Sequence, residues 1–435
     1  MRMSISRTLL LLFAAGVSAR AGSGGPTFAR DVLPIVQKRC QNCHVSGEVA
    51  PMAFVSYADV RPWAKAIREA VLRRTMPPWH ADPSAGPHFA NDRSLTAEER
   101  NTIVAWVDGG AREGTPIPYP IPAARPEGWR LGVPDWKVRI PEFTIPAKGT
   151  IEYTYIIVPL GLTEGKWVRA AEYKVEQRSV IHHINAFVRV PGSPFFRNYE
   201  TGKYFVPTAD ERLVSERPGP TRRQFILGYE PGYAPRPWGE GRAKFFPAGS
   251  DLVLELHYTA SGKALVDHSE FGLYFAPEPP REQVYSTGAV NQSIVIPSGD
   301  PDYQSEAEIT FAKDATLLSM QPHMHLRGKA MEYRLIRPDG ESEILLKVPR
   351  YDFNWQTTYY LEKPVQIPAG SRLHCTAHFD NSANNPANPD PAKTVRWGDQ
   401  SWEEMHIGFL EICFPAETDP LSILARPKKE ERKLP

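Results

Sequence analysis

The sequence predicts a multidomain chain in which a small all-α domain precedes two all-β sandwich domains. Two changes of pattern along the 435 residues carry this prediction. Helical periodicity ends near Ala111, and short runs of alternating apolar residues begin after a proline-rich linker at 115–135. The predicted segments are a signal peptide at 1–21, the helical domain at 25–114, the sandwiches at 136–280 and 281–418, and a polar tail at 419–435.

The first residues are typical of an export signal. Met1–Arg7 carries two arginines, Thr8–Val17 is an apolar run too short to span a bilayer, and Ala19–Ala21 is a small-x-small cleavage site. We expect the mature chain to begin at Gly22 and to be periplasmic or secreted, with no membrane span after cleavage. An uncleaved anchor is the alternative.

A pentapeptide with the spacing C-x-x-C-H lies at Cys40–His44. Its two thiols can form thioethers with the vinyl groups of a haem, and the following histidine can ligate the iron. A zinc half-site would need two further ligands of this kind, and a redox dithiol would need a βαβ setting, neither of which the sequence indicates. We predict covalent haem c on Cys40 and Cys43, with His44 as an iron ligand.

Three short helices are predicted around this motif. Phe28–Lys38 precedes it and Arg61–Arg74 follows it. A third helix begins after Thr96, which can cap it together with Glu99, and ends at Gly109. Three helices of this size are enough to enclose one haem.

Met76 is the predicted sixth iron ligand, because it lies on a loop stiffened by prolines. Met52 and His80 are competing candidates. The region Gly25–Gly114 resembles a class I cytochrome c, and an external redox partner could dock on it. The residues that carry the resemblance are Cys40, Cys43, His44, the loop of Met76 and the last helix with Trp106.

The rest of the chain is predicted to be strands joined by stiff turns. There are 43 prolines, roughly twice the ordinary share. The net charge of +1 gives no reason to expect nucleic acid as a partner. The clearest alternating runs are Tyr153–Val158, Trp167–Val175, Asn185–Val190, Leu252–Tyr258, Glu270–Phe275, Glu306–Phe311 and Ala330–Ile336.

Histidines fall at the ends of several of these runs. His182 and His183 precede one strand, and His257 ends another, so three imidazoles could meet between neighbouring strands. Adjacent residues of a regular strand face opposite ways, so both members of the pair can reach one ion only at a strand end or a bulge.

A second set of soft ligands comes later in the chain. His323 and His325 share one face of a strand end, and Met405 precedes the apolar strand Ile407–Ile412. Two imidazoles and a thioether favour copper, especially Cu(I), over zinc.

In this order the motifs resemble the copper type II, ascorbate-dependent monooxygenases, the family of peptidylglycine α-hydroxylating and dopamine β-monooxygenases. The similarity covers Trp136–Pro415 and implies two jelly-roll-like sandwiches, each with one copper, facing one another across a solvent-filled cleft. It implies an electron-transfer copper on His182, His183 and His257. It also implies an oxygen-activating copper on the catalytic residues His323, His325 and Met405, with ascorbate as an external reductant.

Two departures from the family make a glycine-extended peptide an unsuitable substrate. The arginine that holds the peptide's carboxylate is replaced by Gln321-Pro322, and Phe409 stands where the peptide enzyme has a tyrosine. Cys375 and Cys413 are the cysteines left once haem has taken the other two, and we expect them to form a disulfide, with two buried thiols as the alternative.

The sequence thus predicts a copper-dependent monooxygenase that hydroxylates a C–H bond of a small organic substrate with O2, its electrons arriving through the haem. The haem would replace or supplement ascorbate. The alternative is a non-enzymatic copper and haem protein of redox or electron-transfer function. The sequence identifies neither the substrate nor the oligomeric state.

Overall fold

The structure is a computed structural model that describes residues 24–46, 48–116, 128–208, 211, 224–230 and 232–425. The predicted signal peptide, residues 117–127 of the proline-rich linker and residues 426–435 of the tail lie outside the described residues. Within the described part of the chain, no helix combines the length and the apolarity needed to cross a membrane.

The helices are short and lie before residue 110, apart from one turn near the end. Thr96 and Glu99 form the predicted cap: Thr96 N donates to the Glu99 carboxylate at 2.9 Å, and Glu99 N donates to the Thr96 hydroxyl at 3.0 Å. The helical elements are a π-helical turn (Phe28–Val32), α1 (Leu33–Arg39), α2 (Tyr57–Val60), a 3-10 turn (Arg61–Trp63), α3 (Ala64–Arg73), α4 (Ala97–Asp108) and a 3-10 turn (Pro420–Ser422).

Strands follow one another from residue 136 onward. They are β1 (Trp136–Arg139), β2 (Phe143–Ile145), β3 (Thr154–Pro159), β4 (Lys166–Lys174), β5 (Ile181–Arg189), β6 (Tyr204–Phe205), β7 (Gln224–Tyr229), β8 (Arg242–Phe246), β9 (Asp251–Tyr258), β10 (Leu265–Asp267), β11 (Glu270–Phe275), β12 (Glu282–Val290), β13 (Val295–Ile296), β14 (Tyr303–Thr310), β15 (Ala315–His323), β16 (Gly328–Ile336), β17 (Ser342–Val348), β18 (Tyr359–Ile367), β19 (Arg372–Phe379), β20 (Val395–Arg396) and β21 (Ile407–Pro415).

One eight-stranded sheet runs through both halves of the β region, in the order β1-β11-β4-β8-β12-β21-β15-β18. Its two halves are joined by the parallel pair β8 and β12, in which Glu282 lies opposite Arg242. A five-stranded sheet, β6-β3-β9-β5-β7, packs on the first half, and a four-stranded sheet, β14-β19-β16-β17, packs on the second. Two apolar cores result, one between each pair of sheets.

The predicted fold class, a small all-α cytochrome c-like domain followed by two all-β jelly-roll-like sandwich domains, is wrong. The described chain is mostly β-sheet, its helices are short, and one sheet continues across the expected boundary between sandwiches. A sheet edge left unpaired in each half would expose backbone N–H and C=O groups, and pairing β8 with β12 satisfies both edges.

The segment between α3 and α4 shows why no separate helical domain forms. Trp79 is buried in the core of the second half, where its ring lies 4.9 Å from that of Tyr359. Phe89 forms a β-bridge with Leu361 of β18. The segment that follows the loop of Met76 therefore packs on the β-sheet. The helices keep a small apolar cluster of their own, which includes Phe28 and Trp106.

The expected disulfide is absent: Cys375 and Cys413 are both buried free thiols. Cys375 lies in β19 and faces Gly408 of β21, where an added Cβ would come 2.4 Å from its sulfur. Cys413 is five positions further along β21 and therefore points to the opposite face of that strand. The two thiols are separated by the strand itself.

Candidate metal centres

The first candidate centre forms where β5 pairs with β9. His183 lies opposite His257 and Ile181 lies opposite Tyr258, so His182 is an extra residue on its strand. This bulge turns the side chains of His182 and His183 toward the same side, which a regular strand would not allow. The bulge that the sequence analysis required for both His182 and His183 to reach one ion is therefore present.

The three imidazoles of this centre converge. One ligand atom from each of His182, His183 and His257 lies within 4.8 Å of the other two. The two Nδ1 atoms of His182 and His183 are 3.2 Å apart, and the ring centroids of the three residues are separated by 5.0 to 5.5 Å. This spacing suits three nitrogen ligands around one ion.

A buried carboxylate, Glu255, fixes one of the rings. Its Oε1 lies 3.4 Å from His183 Nε2, and the carboxylate also accepts hydrogen bonds from Tyr155 at 2.6 Å and Asn185 at 2.8 Å. Burial raises the pKa of Glu255, but these hydrogen bonds and the charge of His183 outweigh it and lower the pKa to about 2. Our sequence reasoning missed Glu255, although it lies two residues before His257 on the same face of β9.

Burial favours the neutral form of two of these rings. Burial, and then the neighbouring His183, lowers the pKa of His182 to about 4, and burial with the two other histidines lowers that of His257 to about 2. His257 Nδ1 is buried and has no hydrogen-bond partner among the described residues. An orphaned ring nitrogen beside two other imidazoles fits a copper ion, which would satisfy it.

The second candidate centre lies at the end of β15. His323 is the last residue of that strand, His325 follows in the turn, and their ring centroids are 5.2 Å apart. Met405 precedes β21, the strand that pairs with β15, and only 7% of it is exposed. The three sequence-predicted ligands are thus placed at one end of the same strand pair.

Hydrogen bonds at Nδ1 orient both imidazoles of this centre. His323 Nδ1 lies 2.6 Å from Gln356 Oε1, and His325 Nδ1 lies 3.2 Å from the carbonyl oxygen of Glu403. The two Nε2 atoms are left for a metal, an arrangement common around copper and zinc. Burial lowers the pKa of His323 to about 4 and that of His325 to about 3, so both rings are neutral at pH 7.

Glu404 ties the two chain segments of the second centre together. Its carboxylate is fully buried and accepts hydrogen bonds from the backbone N–H of His325 at 2.8 Å, Arg327 at 2.6 Å and Met405 at 3.3 Å. Burial raises its pKa to about 8 despite these donors. Gln356, which orients the His323 ring, lies in a loop, and no pattern in the sequence predicts that role.

A single cavity of about 1080 Å³ is lined by residues of both centres. Phe353 lies in its wall close to a histidine of each centre: its ring centroid is 6.0 Å from that of His182 and 5.8 Å from that of His325. The two histidine rings are therefore no farther apart than the sum of these distances.

The cavity wall is acidic and apolar. Four carboxylates line it, and no lysine or arginine does so among the residues the structure describes. Gln321, at the position of the missing arginine, donates to the carbonyl oxygen of Gln356 at 2.8 Å. The ring centroid of Phe409 lies 5.8 Å from that of His323. The four carboxylates that line the cavity belong to Glu230, Glu255, Glu308 and Asp399.

The C-x-x-C-H motif follows α1 directly as a tight turn. The backbone N–H groups of Cys43 and His44 donate to the carbonyl oxygen of Cys40 at 3.1 and 3.0 Å. The His44 ring stacks on Phe54 with centroids 4.2 Å apart, and its Nδ1 lies 3.1 Å from the carbonyl oxygen of Met52. Nε2 is the ring nitrogen left for an iron ion.

The three candidates for a sixth iron ligand differ in position. The backbone carbonyl oxygen of Met52 lies 3.1 Å from His44 Nδ1, on the side of the ring away from Nε2. Met76 is 37% exposed on its loop, and His80 is partly buried beside Trp79 and Tyr359 in the second half. Among these, Met76 is the side chain free to approach a haem.

One family model matches the second half of the β region. The family described as copper type II ascorbate-dependent monooxygenase, C-terminal domain, matches residues 282–411, which include His323, His325 and Met405. DBH-like monooxygenase protein 1 of Gallus gallus is 26% identical over 150 residues, which cover 30% of this chain and 24% of that protein. Both matches support the copper type II monooxygenase family. The chain spans about a quarter of that relative's length.

Solved structures give only weak likenesses. The VP2 subviral particle of infectious bursal disease virus is 11% identical and covers 63% of this chain and 58% of its own, with a TM-score of 0.20. Allantoicase is 10% identical and covers 55% and 81%, with a TM-score of 0.17. Likenesses at this level carry no argument about fold or function.

Proposed function

We propose that the chain is a copper-dependent monooxygenase that inserts one oxygen atom of O2 into a C–H bond of a small organic substrate. The observation that carries the proposal is that two sets of converging metal-ligand side chains line or adjoin one cavity. The first set is His182, His183 and His257, and the second set is His323, His325 and Met405. The family match over the second set supports the same chemistry.

Copper held by these ligands would exchange single electrons and activate O2. The protein's own groups prepare the sites for it. Glu255 holds His183, and Gln356 with the carbonyl of Glu403 keeps Nε2 of both second-site rings unprotonated. Met405 adds a soft, weak ligand, which favours Cu(I) at the second site.

We propose a neutral or cationic, largely apolar substrate. The cavity offers carboxylates and aromatic rings but no cationic side chain among the described residues, so an anion would enter against repulsion without a partner. Phe353 and Phe409 lie beside the second set and supply apolar contact. A glycine-extended peptide would find no group to hold its carboxylate.

We propose further that haem c is attached through Cys40 and Cys43, with His44 and Met76 as iron ligands. The haem would supply single electrons in an exported protein, replacing or supplementing ascorbate. The loop that carries the motif is held against the first half of the β region, since Glu48 lies 3.7 Å from Arg130 and 3.6 Å from Arg178. A donor tethered in the same chain acts at high effective concentration.

Metal analysis with EPR of the purified protein tests the proposal directly. We expect one haem and two uncoupled Cu(II) signals per chain, and O2 uptake that yields a hydroxylated product. In stopped-flow mixing with O2, the reduced haem should be reoxidised faster in the copper-loaded protein than in Met405→Ala. Equal rates would refute electron transfer to copper, and copper without any hydroxylated product would leave a non-enzymatic redox protein.

A further inference from the structure

The proposed reaction needs protons inside the cavity. Insertion of one oxygen atom consumes O2, two electrons and two protons, and gives the hydroxylated product and one water. Electrons that arrive one at a time from a haem or ascorbate do not place these protons at the second centre. A group in the cavity wall that can hold and release a proton would meet the need.

Glu230 lies in that wall, one residue beyond the end of β7, and is accessible only in part. The backbone N–H of Thr358 points at its Oε1 at 3.4 Å. Two residues further on, Gly232 packs against both Cys43 and Arg93. A Cβ added to Gly232 would lie 3.3 Å from Cys43 Sγ and 2.9 Å from Arg93 Nη1.

The loop whose Thr358 N–H donates to Glu230 also supports the second centre. Thr358 is two residues after Gln356, whose Oε1 holds His323 Nδ1 at 2.6 Å. Arg93 reaches the same loop through a contact of 3.5 Å with the Thr357 hydroxyl. Glu230 therefore lies where the C-x-x-C-H segment, the first half and the loop supporting His323 meet.

We propose, building on the function proposed above, that Glu230 is the residue that relays protons into this cavity. Its carboxyl O–H bond breaks, and the proton passes, directly or through a water molecule, to an oxygen atom derived from O2. The carboxylate that remains is stabilised by the positive charge of Arg93. A proton from solvent then restores the acid.

The surroundings of Glu230 suit this role. Burial raises its pKa to about 7, against the opposing charge of Arg93. The ionisable groups that face it besides Arg93 are Tyr351, Tyr359 and Tyr360, whose pKa values are all raised by burial, so they stay neutral.

Two other carboxylates of the wall differ from Glu230 in their partners. Glu255 has a pKa of about 2 and is held by His183, so it carries no proton at neutral pH. Glu308 lies 2.9 Å from the guanidinium group of Arg372, with which it forms an ion pair near the surface. Glu308 is nevertheless a useful control, because it lines the same cavity.

The test compares Glu230→Gln with Glu308→Gln in the full copper- and haem-loaded protein. The glutamine at 230 keeps an acceptor for Thr358 N–H and loses the transferable proton. We expect product formation to fall about 100-fold, while copper content and EPR spectra stay unchanged. The wild-type rate should fall as the pH rises through 7, and Glu230→Gln should lose this dependence. Glu308→Gln should keep the pH dependence of the wild-type rate.

A second readout does not depend on turnover. Infrared difference spectra of the metal-free protein should show two protonated carboxyl bands, one that disappears as the pH rises through 7 and one from Glu404, whose pKa is raised to about 8. The band that titrates near 7 should be present in Glu308→Gln and absent in Glu230→Gln. If the band that titrates near 7 persists in Glu230→Gln, or if Glu230→Gln keeps the wild-type rate and pH profile, the proposal is overturned. A wild type that binds no copper or forms no product refutes the monooxygenase function, and the infrared titration still decides whether Glu230 holds the proton.

Discussion

A buried ion pair at the junction of the two halves gives the sharpest stability prediction. Lys244 of β8 is fully buried, and its ammonium group lies 2.9 Å from Glu411 of β21. It also donates to the carbonyl oxygens of Phe225 at 3.0 Å and Ile226 at 3.1 Å, and to the Ser286 hydroxyl at 2.8 Å. One ammonium group thus links β7, β8, β12 and β21.

Lys244→Met removes the cation and leaves its acceptors buried. Glu411 would keep only Trp238, whose indole N–H donates to it at 2.9 Å. Breaking a buried pair by removing one partner costs about 3–5 kcal/mol, because the other charge is left uncompensated. We expect Lys244→Met to lower the free energy of unfolding by about that amount.

The double variant Lys244→Met/Glu411→Gln separates the lost charge from the lost packing. Its glutamine still accepts from Trp238 and carries no charge, so we expect it to be more stable than Lys244→Met alone. Lys166→Met is the matched control. Its partner Glu164 is on the surface, and such pairs are worth about 0–1 kcal/mol.

Urea unfolding followed by tryptophan fluorescence measures these differences, since Trp238 lies at the junction. The reasoning is refuted if Lys244→Met lowers the free energy of unfolding by less than about 1 kcal/mol. It is also refuted if the effects of Lys244→Met and Glu411→Gln, each measured alone, add to within about 0.5 kcal/mol of the effect of the double variant, as those of independent sites do.

The remaining predictions concern the metal and haem sites. His257→Ala should remove one of two Cu(II) signals in EPR, because no ligand is shared between the centres; loss of both signals would contradict independent sites. Glu404→Gln should lower the copper affinity of the second centre alone, because an amide has one acceptor oxygen and cannot accept at one oxygen from His325 N–H and at the other from Arg327 N–H, as the carboxylate does, and metal titration would show it. Met76→Leu should change the visible haem spectrum and lower the midpoint potential, whereas Met52→Leu should do neither; the reverse pattern would exclude Met76 as the iron ligand.

Local patterns in the sequence predicted many elements of the structure. The alternating run Glu270–Phe275 is β11, and the cap at Thr96 begins α4. These features depend on neighbours in the chain, so a single sequence reveals them. The parallel pairing of β8 with β12 and the burial of Trp79 in the second half depend on partners far along the chain. No short-range pattern encodes such partners, which is why the predicted fold class was wrong.

In the candidate centres, too, some features could be predicted from the sequence and others depend on pairing between distant segments. The sequence could name His182, His183 and His257, and it could state that a bulge was required. Only the pairing of β5 with β9 shows the bulge. Glu255 was within reach of period-two reasoning, whereas Gln356 and Phe353 come from a loop whose path the sequence does not indicate.

Phe353 changes what the two centres can do together. Its ring centroid lies within 6.0 Å of that of one histidine from each centre, so a phenyl group lies close to both sets of ligands. A substrate at His325 must therefore lie beside this ring or displace it. Phe353→Leu keeps the space apolar and removes the aromatic contact on both sides. If the ring separates the centres, dipolar EPR on the copper-loaded protein should show a shorter or broader distance distribution in Phe353→Leu than in the wild type. An unchanged distribution would show that the sheets alone set the separation.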